Sequence, residues 1–271
     1  MLCHKLVPLA LFICGVLTFT QTAQAKQVQL AIVIDDVGYS HNRGMRAVKL
    51  PGPITLAVLP FAPHTKILVA QAVKHNKDII IHQPMEPQPS PTVAEEEGTL
   101  KLQMGSQEFD QHLLNALDAV PQRVGLSNHT GSLLTAHHRP MRRVMQQLSQ
   151  RGLFFLDSRT TAETVALDVA QQMGVPSIRR DVFLDHTRTE AAISQAFDQA
   201  VKVARRKGHA VLVGHPYPVS LTFLEQRLLT LPADIKLVHV ARLVDKPTAT
   251  GHQNKLAQQL HQGSLHISPG Q

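Results

Sequence analysis

The chain has no tryptophan, only two tyrosines and two cysteines among 271 residues, and 4% aromatic side chains. Each shortage removes a class of function. Tyr39 and Tyr217 offer little platform for stacking bases, and the net charge of +7 is dispersed rather than gathered into a basic stripe. No nucleic-acid partner is expected. The basic surface reads as solvated, with a mild attraction to an anionic envelope polymer. The G-x-S-x-G, H-E-x-x-H, G-x-G-x-x-G and phosphate-loop signatures are missing as well.

Both cysteines, Cys3 and Cys14, fall in a segment that reads as a removable leader. Lys5 supplies its positive start, Leu6 to Phe19 its apolar stretch, and Ala23-Gln24-Ala25 its cleavage signal. A signal peptide over residues 1–25 is expected, with cleavage before Lys26 and export to the periplasm or beyond. The apolar stretch is short for a span of about 20 residues, so no stable membrane insertion is expected after cleavage. The mature chain then holds no cysteine, which excludes disulfides, thiolate metal sites and a cysteine nucleophile. Its stability must come from an apolar core, which its length permits. At the other end, residues 246–271 lose apolar periodicity and read as a flexible tail in which His252, His261 and His266 are solvated.

Between these ends, short apolar runs alternate with helical patterns. Strands are expected over Val28–Ile34, Ile54–Leu59, Asp78–Ile81, Val124–Leu126, Leu153–Leu156, Pro176–Arg179, Ala210–Val213 and Lys236–Val240. Helices are expected over Thr65–His75, from Ser106 to about Val120 with Ser106 near its cap, and over Met141–Leu148, Ala162–Met173, Glu190–Arg206 and Ser220–Leu229. Such alternation implies one α/β domain over residues 26–245, an irregular (β/α) barrel with a largely parallel sheet; an open doubly wound sheet is the alternative. The longest irregular piece, Gln83–Gly98, carries the run Glu95-Glu96-Glu97, which reads as solvated.

In parallel α/β folds, sites form at the carboxyl ends of the strands. That edge carries Asp35 and Asp36, then His82, then Asn128 and His129, then Asp157, Ser158 and Arg159, then Arg180 and Asp181, and finally His215. Adjacent buried carboxylates are costly unless a cation or a reaction requires them. A turn capped by Asp36 is the plainer explanation for that pair. Asp36, His82 and His129 form a suitable ligand set for zinc or another divalent metal, leaving positions open for water and substrate.

These residues, in this order, resemble the divergent polysaccharide deacetylase family, relatives of the NodB-like carbohydrate esterases. The resemblance spans about Val28 to Leu243. It is carried by Ile32-Val33-Ile34-Asp35-Asp36-Val37-Gly38, His82-Gln83-Pro84-Met85-Glu86-Pro87 and Ser127-Asn128-His129-Thr130-Gly131-Ser132. Phe155-Leu156-Asp157-Ser158-Arg159-Thr160, Arg180-Asp181-Val182-Phe183-Leu184-Asp185 and Gly214-His215-Pro216 extend it. The resemblance implies an irregular (β/α) barrel, a divalent metal at its rim, and removal of acetyl groups from a polysaccharide. By position, Asp35 resembles the catalytic base, Asp36 a metal ligand and His215 the general acid. One departure stands out. The NodB-like pattern places both metal histidines on one His-x-x-x-His stretch, whereas position 86 is Glu here and His129 takes the second place.

The expected activity is metal-assisted hydrolysis of an amide or ester on an envelope glycan. Asn128 is a candidate oxyanion donor, Asp157 or Asp181 a candidate to orient His215, and Arg180 a candidate to hold Asp35 ionised. Two rivals remain. One is a catalytically silent protein that holds a glycan or an envelope partner at the same rim. The other is a glycoside hydrolase pairing Asp35 with Asp157 or Asp181.

Overall fold

A computed structural model describes residues 27–90 and 95–244. The expected leader (1–25) and tail (246–271) lie outside the described residues. In chain order, the strands are β1 Val28–Val37, β2 Thr55–Val58, β3 Asp78–Met85, β4 Gly125–Thr130, β5 Phe154–Asp157, β6 Ser177–Arg179, β7 Val182–Phe183, β8 His209–Gly214 and β9 Ile235–Val238. The helices are α1 His41–Lys49, α2 Thr65–Lys74, α3 Ser106–Ala119, α4 His138–Gln150, α5 Ala166–Gln172, α6 Glu190–Lys207 and α7 Pro218–Arg227. Every strand pairing is parallel, in the order β6-β5-β4-β3-β2-β1-β8-β7. Strand β9 pairs with the first half of β1, below the stretch that pairs with β2.

The sheet curls into an irregular half-barrel whose two edges, β6 and β7, are consecutive in the chain. Residues 180 and 181 bridge them. Arg180 N donates to Asp157 O at 2.9 Å on one side, and Asp181 N donates to Val211 O at 2.9 Å on the other. The seam is thus closed by the run of the chain rather than by a ladder between β6 and β7.

Alternation along the strands separates two apolar layers. Leu30, Ile32, Ile34, Leu56, Ile79, Ile81, Leu126, Phe155 and Leu212 pack with helical residues such as Leu68, Leu113, Val144 and Phe197 in the outer layer. Ala31, Val33, Ala57, Ile80, Leu156, Val211 and Val213 fill the inner layer with Val240 and Leu243, which plug one end. Large side chains face the helices, while smaller ones line much of the curled interior.

Several elements differ from the sequence reading. β3 and β4 run on through His82 and His129, so both histidines lie within strands rather than after them. Helix α1 was not expected because Gly44 interrupts a short polar stretch. Leu68 of α2 explains the glycine, because a Cβ at position 44 would lie 2.4 Å from its Cδ1. Ser106 is the first helical residue of α3, and Gly105 occupies the cap without a side-chain bond. Asp36 caps nothing. The α1 cap is Ser40, whose hydroxyl accepts from Arg43 N.

Candidate metal centre

A regular strand sends neighbouring side chains to opposite faces, so Asp35 and Asp36 could not ordinarily share a site. Here the register between β1 and β2 shifts between Ile34 and Val37, and Asp36 adopts φ 55. Ile34 and Val37 both remain in the outer layer. The two residues between them therefore turn inward together. His82 follows Ile80 on the inner face of β3, and its Nε2 lies 3.4 Å from Asp35 Oδ2 and 3.4 Å from Asp36 Oδ1. His129 comes from the inner face of β4, with Nδ1 2.9 Å from Asp36 Oδ1. The last inner position of β8 leads to His215, whose Nε2 is 3.7 Å from Asp36 Oδ2.

Asp36, His82 and His129 offer ligand atoms that all lie within 4.8 Å of one another. Two ligands on a tetrahedral zinc at about 2.0–2.1 Å stand roughly 3.4 Å apart, so these separations suit a single ion. The buried Asp36 Oδ1 has no hydrogen-bond partner although two imidazole nitrogens face it. An acceptor and two imidazole nitrogens converging on one point, without hydrogen-bond geometry between them, are what a shared cation would satisfy. The residues present fit a divalent metal.

The surroundings set the charges. Burial works to raise the Asp36 pKa, but His129 and His82 overcome it and hold the carboxyl far below the usual carboxylate range. At Asp35 burial prevails and raises the pKa, against the opposing charges of His82 and His215. Burial alone would lower His129, yet Asp36 and Glu96 push it up to about 10. His215 is raised despite burial by its bond to Asp185 and by the charges of Asp36 and Asp35.

The supporting residues divide less simply than expected. Neither Asp157 nor Asp181 orients His215. That role falls to Asp185, which accepts from His215 Nδ1 at 2.9 Å and from His215 N at 2.7 Å, and is itself fixed by Ser220 Oγ at 2.7 Å. Asp157 shares its alternation with outer-layer Phe155 and accepts from Arg159 N and Thr164 Oγ1. Asp181 pairs with Lys207 Nζ at 2.5 Å and accepts from Val211 N. With both carboxylates directed elsewhere, the carboxylate pairs that a glycosidase reading required are not formed.

Asn128 is not placed as an oxyanion donor either. It shares the outer alternation of Leu126, donates to Thr130 O at 2.8 Å and accepts from Ser158 N at 2.9 Å, so its amide ties β4 to the loop after β5. Arg180 donates to Ser158 O and Arg159 O and lies 4.8 Å over the Phe183 ring. Burial lowers its pKa while the charge of Asp35 opposes this; at Asp35 burial prevails and raises the pKa, so the expectation that Arg180 holds that carboxyl ionised finds no support.

Two neighbours of the centre went unread in the sequence. Asp185 sits two residues beyond inner-facing Phe183, and counting on in steps of two would have found it. Glu96, from the acidic run read as solvated, accepts from His129 Nε2 at 3.0 Å. Nothing local marks it apart from Glu95 and Glu97.

The profile of the family described as divergent polysaccharide deacetylase matches residues 32–244. The uncharacterized protein YibQ of Escherichia coli (strain K12) is 39% identical over 219 residues, covering 81% of this chain and 68% of that protein. Among solved structures, the uncharacterized protein ATU2773 from Agrobacterium tumefaciens C58 is similar with a TM-score of 0.78 and 25% identity, over 82% of this chain and 91% of that one. A BA3943 mutant, described as a CE4 family pseudoenzyme with restored enzymatic activity, shares the fold with a TM-score of 0.51 and 13% identity, over 82% of this chain and 69% of that one. With its profile matched from Ile32 to Val244 and its aspartate and two histidines gathered at the strand ends, this chain belongs to the divergent polysaccharide deacetylase family.

Proposed function

We propose that the protein is an exported, metal-dependent hydrolase that removes acetyl groups from an envelope polysaccharide or related glycan, with zinc as its metal. The observation that carries this reading is the convergence of Asp36, His82 and His129 beside two further groups, Asp35 and His215, suited to moving protons. A divalent ion bound there supplies Lewis acidity, acidifying water and polarising the acetyl carbonyl. The chain supplies the rest. Asp35, buried but not bonded at Oδ1, accepts a proton from the attacking water. His215, its Nδ1 fastened by Asp185, presents Nε2 to donate a proton to the departing amine or alcohol. A purely passive binder has no need of an oriented imidazole next to a buried carboxylate.

A cavity of about 280 Å³ opens beside His129, lined by Glu86, Glu95, Lys101 and Thr130 among others. A smaller one of about 100 Å³ lies on the other side, between Asp36, Tyr39, Arg43 and His215. Walls that mix polar and apolar groups on both flanks suit a sugar, which presents hydroxyls and C–H faces together. The test is acetate release by the zinc-loaded protein from a panel of N- and O-acetylated oligosaccharides and peptidoglycan fragments. Acetate should appear with the wild type and vanish in Asp35→Asn while metal content is kept. Failure of the zinc-loaded wild type on the whole panel overturns the hydrolytic reading and leaves the silent binder.

A further inference from the structure

His82 and His129 each have one nitrogen at the centre and one tied to the chain. Nδ1 of His82 meets Ser127 Oγ at 2.8 Å, which leaves Nε2 for the centre. His129 is arranged the opposite way, with Nδ1 toward Asp36 and Nε2 against Glu96 Oε1 at 3.0 Å. The Ser127 tie comes from the neighbouring strand. The Glu96 tie comes from outside the sheet, 33 residues before His129 in the chain.

The segment that brings Glu96 there is firmly fastened. The Glu96 carbonyl accepts from Thr99 N at 3.1 Å and from Thr99 Oγ1 at 2.6 Å. Gln83 Nε2 donates to Gly98 O at 2.9 Å. Glu86 N donates to Leu100 O and Leu100 N donates to Pro84 O, both at 2.9 Å, beside the end of β3. Gly98 has φ 78, and a Cβ there would lie 2.3 Å from the Phe61 ring. Glu96 is therefore held beside His129 by its own segment, with its side chain partly buried.

We propose that Glu96 is a positioning residue for the metal centre: it accepts the Nε2 proton of His129, fixes that tautomer, and leaves Nδ1 as the nitrogen that bonds the cation. This rests on the metal reading above but reaches beyond it. It assigns the second histidine's ligand atom and gives a function to a residue of the acidic run. A carboxylate behind a ligand histidine also raises the basicity of the nitrogen facing the metal, and loss of such a partner typically weakens metal binding about 10–100-fold. The separate origin of Glu96 matters here. His129 replaces a histidine that a His-x-x-x-His stretch would have placed on the same segment as the first, and it needs its own orienting partner.

The experiment uses zinc and the full-length protein, with affinity read by competition against a chromophoric chelator. Glu96→Ala should bind zinc about 10–100-fold more weakly than wild type, and Glu96→Gln, which can still accept the Nε2 proton, should recover part of the loss. Nitrogen-edited NMR of the zinc-loaded wild type should show His129 protonated at Nε2 and metallated at Nδ1. Unchanged zinc affinity in a folded Glu96→Ala protein, or metallation at Nε2, overturns the inference. Neither readout needs turnover, so a wild type that binds zinc but releases no acetate would refute the hydrolase reading while leaving this one standing. A wild type that binds no zinc would refute both.

Discussion

Asp185 holds His215 by two bonds from the same residue, one to Nδ1 and one from the backbone amide. The consequence is a charged partner behind a proton donor, as in other oriented imidazoles. His215→Ala should lower kcat by about 10²–10⁴-fold with zinc content unchanged, since general acid catalysis is worth that much. The pH dependence has a definite sign. Burial alone would lower the His215 pKa, and Asp185 is first among the groups that raise it. A general acid works while protonated, so its pKa sets the alkaline limb of the kcat profile. Asp185→Asn removes the raising charge and should move that limb to lower pH; a limb that stays in place, or moves up, would show that another group donates the proton. The three groups that meet at the centre, Asp36, His82 and His129, were legible in the sequence as polar residues near strand ends, while the roles proposed for Asp35 and His215 come from the family resemblance. Asp185 was within reach of the two-residue period that places Phe183 inward, but Glu96 was not. Its contact depends on where a loop returns in space, and no local periodicity records that.

The inner face of each strand decides which polar residues enter the centre. His82 follows Ile80, and His215 follows Val211 and Val213, in steps of two. Asn128 and Asp157 fall one step out of phase and serve the loops instead. Strands buried on both sides carry apolar residues at every position, so the phase was not readable from hydrophobicity, and Asn128 and Asp157 were taken as site candidates from their place at the strand ends alone. The turn after β1 requires a glycine. Gly38 sits at φ 145, and a Cβ there would lie 2.6 Å from Ala62 Cβ and 2.6 Å from Thr65 Oγ1. Gly38→Ala should cost about 2–4 kcal/mol, combining backbone strain with overpacking, as a fall in the denaturant midpoint. Helix α6 is capped by Thr189, which accepts from Ala192 N. Thr189→Ala should cost about 1 kcal/mol without altering zinc affinity, which separates loss of stability from loss of the centre.

Across the whole molecule, the architecture was readable because strands and helices alternate with short connections, and that pattern admits few topologies. The seam was not readable. β7 has two residues, and the chain from Ser177 to Phe183 serves both edges of the sheet, which no composition signal marks. Curling brings the ends of β1, β3, β4 and β8 around one opening, so residues more than a hundred positions apart meet. Among the described residues no helix is long and apolar enough to cross a membrane. The relation among the three ligand side chains is the fact on which the functional account stands. It is tested most directly by zinc stoichiometry after chelator treatment and reloading, in wild type and in Asp36→Ala, His82→Ala and His129→Ala. The expected result is one tightly held zinc per wild-type chain and none in any of the three folded variants. Retention of a full equivalent in any of them, or its absence from the wild type, would contradict a centre built from these three strand ends.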